Sequence, residues 1–257
     1  MDFGIQNRMS KIFQAETGKT VMLAVDHGYF QGPTTGLENL QKTIKPLAPL
    51  ADCLFVTRGM LRNCVDKNLK SSVCLRVSGG PSVLGELSNE DIVVSIEEAL
   101  RLNVSGVGMS IFVGAENEDR SIVNLGKLIN ESEKYGMPVL AITAVGREMV
   151  RDARYLGLAC RIASEIGARI VKTYYCEDFY RVVESCPVPI VMAGGKKIDE
   201  KDALIMTANA IKEGASGVDM GRNIFQSENP EAMMSAIKAI VHQGASASEA
   251  HKIFKAS

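Results

Sequence analysis

The segment Ile170-Val171-Lys172-Thr173-Tyr174-Tyr175 has the β-branched and aromatic make-up of a buried strand, yet it carries a lysine. An ammonium group is costly to desolvate, so Lys172 is there either to pair with a carboxylate or to react. Burial and neighbouring cations lower a lysine's pKa from about 10.4 towards about 7–8, giving an amine able to attack a carbonyl. The Schiff base so formed is an electron sink, and a bond beside the former carbonyl can break with its electrons delocalised into the iminium. Asp26 ends the apolar run Val21–Val25 and is followed by His27 and Gly28. A carboxylate there could be the acid/base partner of an inward lysine, its ion-pair partner without chemistry, or a loop cap. His27 could orient a substrate hydroxyl, shuttle a proton or sit at the rim.

Two further stretches combine glycines with cations: Ala193-Gly194-Gly195-Lys196-Lys197 and Met220-Gly221-Arg222-Asn223. Glycine lets backbone N–H groups approach an anion closely, and an arginine adds a bidentate contact. Gly194, Gly195 and Gly221, with Arg222 and Lys196 or Lys197, therefore form a candidate phosphate site, one of the two lysines being expected as a solvated loop charge.

The elements that must position these groups repeat regularly. Strand candidates span 21–28, 53–57, 73–78, 106–113, 138–145, 169–175, 189–195 and 217–223, and their starts recur about every 28 residues, the size of a βα unit. Most are apolar almost throughout, as suits parallel strands covered on both faces. Helical patterns lie between them. Residues 88–103 are expected as a helix capped by Ser88, with Ile92, Val93, Ile96 and Leu100 along one face. Residues 199–214 start at an Asp cap and end at Gly214; residues 229–244 have Asn229 as cap, Pro230 at the first helical position and Gly244 beyond the end.

Eight such units in one chain of 257 residues predict an α/β fold, a single (β/α)8 TIM barrel, with an open doubly wound sheet as the alternative. The expected organisation is an N-terminal helical segment over 1–20, the barrel over 21–245 and a C-terminal helix over 246–257. In a barrel the C-terminal strand ends carry the active site. Polar groups gather there: Asp26-His27, Thr57-Arg58, Arg76 and Ser78, Lys172, the Gly194–Lys197 loop, and Asp219 with Gly221-Arg222-Asn223. Loops seven and eight are also where barrels often hold phosphate.

Composition excludes several classes. A formal net charge of −1 with no run of like charges gives no footprint for nucleic acid or an anionic membrane. No apolar run reaches the roughly 20 residues of a bilayer span, and the opening MDFGIQNRMS lacks the apolar core of a signal peptide. The six cysteines form no C-x-x-C pair, which suits reduced thiols in a cytoplasmic protein, and three histidines are too few for a His-rich metal site.

Set in order, Asp26-His27, KTYY, AGGKK and GVDMGRN resemble the class I aldolase family that includes archaeal-type fructose-bisphosphate aldolase and deoxyribose-phosphate aldolase. Longer segments (GKTVMLAVDHGYFQGPTTGLE, TRGMLR, ELSNE, MVRDARY, CPVPIVMAGGKK, GASGVDMGRNIFQSENP) are most similar to a branch of thiolases that processes phosphorylated autoinducer-2, along nearly the whole chain. That resemblance implies that Lys172 forms the Schiff base, with Asp26 or His27 moving protons. It also implies that an acetyl group passes from a phosphorylated diketone to coenzyme A, leaving glycerone phosphate. No bound cofactor or metal is expected, since the iminium takes the metal's place as electron sink. A ring-based homo-oligomer is implied, and the chain starts almost at the barrel, a difference expected to bear on assembly rather than chemistry. Fructose-bisphosphate aldolases carry a tyrosine acid after strand five; here the run is AITAVGRE (141–148), with Thr143 and Ala144 in that place. A hydroxyl there could bind substrate but not replace a phenolic acid, which disfavours sugar-bisphosphate cleavage. Two other readings stay open: retro-aldol cleavage of a phosphorylated ketose without coenzyme A, and a non-catalytic sugar-phosphate sensor.

Overall fold

In the computed structural model, which describes residues 2–144 and 150–256, eight parallel strands close into a ring. They are β1 (Thr20–Ala24), β2 (Cys53–Thr57), β3 (Ser72–Arg76), β4 (Gly106–Ile111), β5 (Val139–Thr143), β6 (Ile170–Tyr174), β7 (Ile190–Ala193) and β8 (Gly217–Met220). Each pairs with its neighbours in chain order, and β8 closes on β1 with Thr20 opposite Gly217 and Met22 opposite Asp219. All eight expected strands are present, most of them shorter than expected: 21–28 and 217–223 give way to short helices, Gly28–Gln31 and Arg222–Phe225, and the closed TIM barrel, not the open sheet, is the fold.

Alternation along each strand separates two cores. Outward residues such as Val21, Leu54, Leu75, Val107, Ala141, Val171 and Val218 pack under the helices. Inward ones, Met22, Cys53, Phe55, Cys74, Leu140, Ile170 and Val191, meet Ile12 and Phe13 at the end of the helix Phe3–Ile12. That helix closes the N-terminal mouth, so the barrel is packed below and open above. β4 supplies room for the largest inward ring: a Cβ on Gly108 would come within 2.7 Å of the Phe55 ring.

The expected caps hold for two helices. Asp199 caps Glu200–Lys212 through the Lys201 N–H, and Asn229 caps Pro230–Gln243 through the Ala232 N–H, with Gly244 at φ 71° beyond its end. The helix expected over 88–103 is shorter, Ile96–Arg101, and its cap is Ser95, whose hydroxyl accepts from the Glu98 N–H. Ser88 is buried and accepts instead from the Asn117 backbone and side chain. The β-branched run Ile92-Val93-Val94 prefers extended backbone. Asp91–Ile92 pairs antiparallel with Ser78–Gly79, and the Val93 N–H donates to the Val77 carbonyl at 2.8 Å. This detour carries Glu90 to the open mouth. All six cysteines are free. A last helix spans Ala247–Ala256, and among the described residues no helix is long and apolar enough to cross a membrane.

Candidate active site

Lys172 points into the barrel because its neighbours point out. Val171 lies in the helix-facing core, and the Thr173 hydroxyl accepts from Thr143 Oγ1 at 2.8 Å inside the wall. The lysine is 8% exposed, and its Nζ lies 5.3 Å from the centre of the Phe55 ring. Its partner is Asp219 of β8, with Nζ 2.8 Å from Oδ2. Asp26, one candidate partner in the sequence, is therefore not the one; the partner is Asp219, which the sequence places only among the polar groups at the strand ends. β6 and β8 are separated by β7, so the two side chains meet only through the curvature of the closed ring. Apart from Lys172, neither Asp219 oxygen has a hydrogen-bond partner among the described residues. Burial raises the Asp219 carboxyl above its usual range, against the opposing pull of Lys172. A poorly solvated carboxylate at this distance is placed to take the ammonium proton.

Lys172 and Asp219 line a cavity of about 520 Å³ that opens at the C-terminal mouth. Asp26, His27, Gly194, Gly195, Gly221 and Arg222 line it as well, so seven of the eight expected site residues converge on one space. The eighth, Lys196, is exposed and stands outside the lining; Lys197 is held by Glu200 at 2.8 Å. Thr57 and Arg58 also stay outside it.

Asp26 is 6% exposed and contacts two cationic or titratable neighbours. Its Oδ2 accepts from Arg76 Nη1 at 3.5 Å, and its Oδ1 is 4.0 Å from His27 Nδ1. His27 is pushed down to about 4, chiefly by burial, against Asp26 and with help from Lys172, Arg222 and Arg76. Its imidazole is therefore neutral near pH 7, and its buried Nδ1 has no hydrogen-bond partner among the described residues. Only glycine fits at 221, because a Cβ there would stand 2.7 Å from His27 Cε1 and 2.4 Å from the Ala24 carbonyl oxygen.

The phosphate candidates form the other wall. Gly195 takes the left-handed conformation at φ 68°. Asn223, fully buried, laces the loops after β7 and β8 together. Its Nδ2 donates to the carbonyls of Gly194 (2.6 Å) and Lys196 (3.2 Å), and its Oδ1 accepts from the Ile198 N–H (2.9 Å). Arg222 borders the cavity with a buried Nε that has no partner among the described residues.

A third group was visible in the sequence only in part. Arg76 ends β3, and its Nη2 donates to Glu90 Oε2 at 2.7 Å, to Ser110 Oγ at 2.8 Å and to the Tyr29 hydroxyl. Ser78 and Tyr29 donate to Glu90 as well. Burial raises the Tyr29 phenol, so it stays protonated. An arginine in the strand-like VCLRVS was the available signal; Glu90 and Tyr29 gave none. At the end of β5 the Thr143 hydroxyl donates to Thr173, Thr143 and Ala144 line the cavity, and residues 145–148 of AITAVGRE lie outside the described residues, as do Val145 of the fifth strand candidate and Met149 of MVRDARY. Among the described residues no cluster of three or more His, Cys, Asp or Glu could hold a metal.

Known proteins resemble this chain in sequence and in fold. A family model described as DeoC/LacD family aldolase matches residues 20–227. A Photorhabdus laumondii protein named 3-hydroxy-5-phosphonooxypentane-2,4-dione thiolase is 55% identical over 255 residues, covering 99% of this chain and 88% of that one. The Escherichia coli K12 protein of the same name is 54% identical with the same coverage. Among solved structures, an archaeal fructose 1,6-bisphosphate aldolase superposes with a TM-score of 0.82 at 26% identity, over 93% of this chain and 100% of that chain. Another, at TM-score 0.81 and 26% identity over 92% of this chain and 99% of that chain, is described with its catalytic Lys covalently bound to the carbinolamine intermediate of the substrate.

Proposed function

We propose that this chain, which belongs to the DeoC/LacD aldolase family, is a Schiff-base-forming thiolase. It transfers the acetyl group of 3-hydroxy-5-phosphonooxypentane-2,4-dione to coenzyme A and releases glycerone phosphate, a step in the degradation of phosphorylated autoinducer-2. The observation that carries this reading is the inward Lys172 beside a cavity, with a carboxylate 2.8 Å from its nitrogen and a glycine-rich rim across two adjacent loops. Relatives at 54–55% identity bearing the thiolase name support the substrate and acceptor.

In this mechanism the backbone of Gly194, Gly195 and Gly221, with Arg222, holds the phosphate. Asp219 takes the proton of Lys172, the amine adds to the ketone nearest the phosphate, and Asp219 returns that proton to the carbinolamine hydroxyl, which leaves as water and gives the iminium. The thiol of coenzyme A attacks the acetyl carbonyl, and the bond between that carbonyl carbon and the hydroxyl-bearing carbon breaks. Its electron pair moves into the iminium to give an enamine. Asp26 takes the thiol proton and returns it to the enamine carbon, with neutral His27 as the neighbouring relay. Hydrolysis of the iminium frees glycerone phosphate. A cytoplasmic location and a homo-oligomeric assembly belong to the same reading, carried by the resemblance rather than by the site.

A second reading, retro-aldol cleavage of a sugar bisphosphate, draws on the archaeal aldolase likeness. Against it stands the end of β5, where the sequence has the small Thr143 and Ala144 and the Thr143 hydroxyl donates to Thr173. The deciding assay supplies the phosphorylated dione or fructose 1,6-bisphosphate, each with and without coenzyme A. Acetyl-CoA formed from the dione is the expected result. Cleavage of the bisphosphate without any acetyl-CoA would replace this reading with the second.

A further inference from the structure

The phosphate rim, Lys172 and Asp219 account for the part of the substrate that becomes glycerone phosphate. They leave the acetyl carbonyl unattended, although attack by a thiol turns its oxygen into an anion that must be met by donors. In a ring of eight strands paired in chain order, β3 and β4 stand opposite β7 and β8. A dione held by its phosphate at β7 and β8 and by its inner ketone at β6 presents its outer carbonyl to the wall of β3 and β4. Arg76 and Ser110 line the cavity there.

Arg76 is 4% exposed and rigidly held, its Nη2 engaged by Glu90, Ser110 and Tyr29 and its Nε donating to the Ser78 carbonyl at 3.2 Å. Its Nη1 is different. Among the described residues it reaches only Asp26 Oδ2, at a long 3.5 Å, which leaves N–H capacity for a further acceptor. Ser110 accepts from Arg76 at 2.8 Å and so keeps its own O–H to donate. Glu90 cannot take part directly, since Arg76, Ser78 and Tyr29 all donate to it. Its place is behind the arginine, fixing the direction of the guanidinium.

We infer that Arg76, with Ser110 beside it, is the electrophilic site for the acyl half of the reaction. Its Nη1–H and the Ser110 O–H receive the oxyanion formed when the thiol sulfur bonds to the acetyl carbon. When that oxyanion collapses, the carbon–oxygen double bond re-forms and the carbon–carbon bond breaks, its electrons passing to the iminium on Lys172. Arg76 also touches Asp26, so the thiol proton is lost next to the charge that stabilises the resulting anion. Glu90 is a positioning residue acting through Arg76.

This inference rests on the thiolase reading, and the test separates the two. The full chain is assayed for acetyl-CoA formation from the dione and coenzyme A, and separately for borohydride trapping of glycerone phosphate on Lys172, a reaction that involves no acetyl group. Arg76→Lys keeps the charge but loses the fork, and is expected to lower kcat for acetyl transfer by about 100-fold; Ser110→Ala, a smaller change, is expected to lower it by about 10-fold. Trapping should stay at the wild-type extent in both, which also shows that the barrel has folded. Equal loss of trapping and transfer, or no loss of transfer, overturns the role. A wild-type protein that traps glycerone phosphate but makes no acetyl-CoA sinks the thiolase reading, and this role with it.

Discussion

Asp52 and Asp219 are carboxylates at opposite ends of the same barrel, with 7% and 0% of their side chains exposed. Asp52 immediately precedes β2, at the closed end. Its oxygens accept from the Val21 N–H (2.7 Å) and Gln14 Nε2 (2.6 Å), and lie 2.7 Å from His242 Nε2 and 3.6 Å from Lys238 Nζ. Burial tends to raise its carboxyl, but the partners His242, Val21 and Gln14 win and hold it below its usual range. Asp219, at the open end, has one cation, Lys172, and no other partner among the described residues, and burial carries its carboxyl upward. A satisfied carboxylate ties Gln14 of the N-terminal segment, β1, β2 and the helix Pro230–Gln243 together. An unsatisfied one is poised to exchange a proton. The contrast follows the general division of barrels, stability at the N-terminal face and chemistry at the C-terminal one.

Substitutions can break this contrast apart. The largest effect is expected from Asp219→Asn, which keeps the shape but cannot accept the lysine's proton: turnover should fall by about 10²–10⁴-fold. Its thermal midpoint should change less than that of the next variant, as differential scanning calorimetry would read. Asp52→Ala should do the reverse. Losing three close contacts to a charged group should reduce stability by about 3 kcal/mol in urea unfolding, with kcat of the folded fraction unchanged. A loss of turnover in Asp52→Ala with full stability would contradict the division.

The smallest effect belongs to His27 and is read in pH. Its folded-state value of about 4 lies below the ordinary 6.5, so between those values the unfolded chain binds the proton more readily. Stability is complete above about pH 6.5 and is lost as pH falls, by about 2 kcal/mol on reaching about pH 5. His27→Gln should flatten that slope in unfolding curves measured across this window. An unchanged slope would show that the imidazole is not held neutral.

Much of this was legible in the sequence because it is local. Apolar strand cores, the Asp199 and Asn229 caps and the position of Lys172 between two outward residues depend on neighbours a few positions away. The misread region, 88–103, failed where two local signals compete. Acids after Ser88 resemble a helix start, but the Ile92-Val93-Val94 run and the Ser95/Glu98 cap override them. What no local pattern could give is pairing across the ring. Lys172 finds Asp219 over an intervening strand, and Glu90 finds Arg76 only because Asp91–Ile92 folds back onto Ser78–Gly79. Barrel curvature and a two-residue pairing decide those contacts, and neither has a periodic signature.

The account depends most directly on covalent chemistry at Lys172. Purified protein incubated with glycerone phosphate and borohydride, then digested and mapped by mass spectrometry, should carry one reduced adduct on the peptide containing Lys172, absent in Lys172→Met. An adduct on a different lysine, or tight binding of glycerone phosphate with no adduct at all, would contradict it.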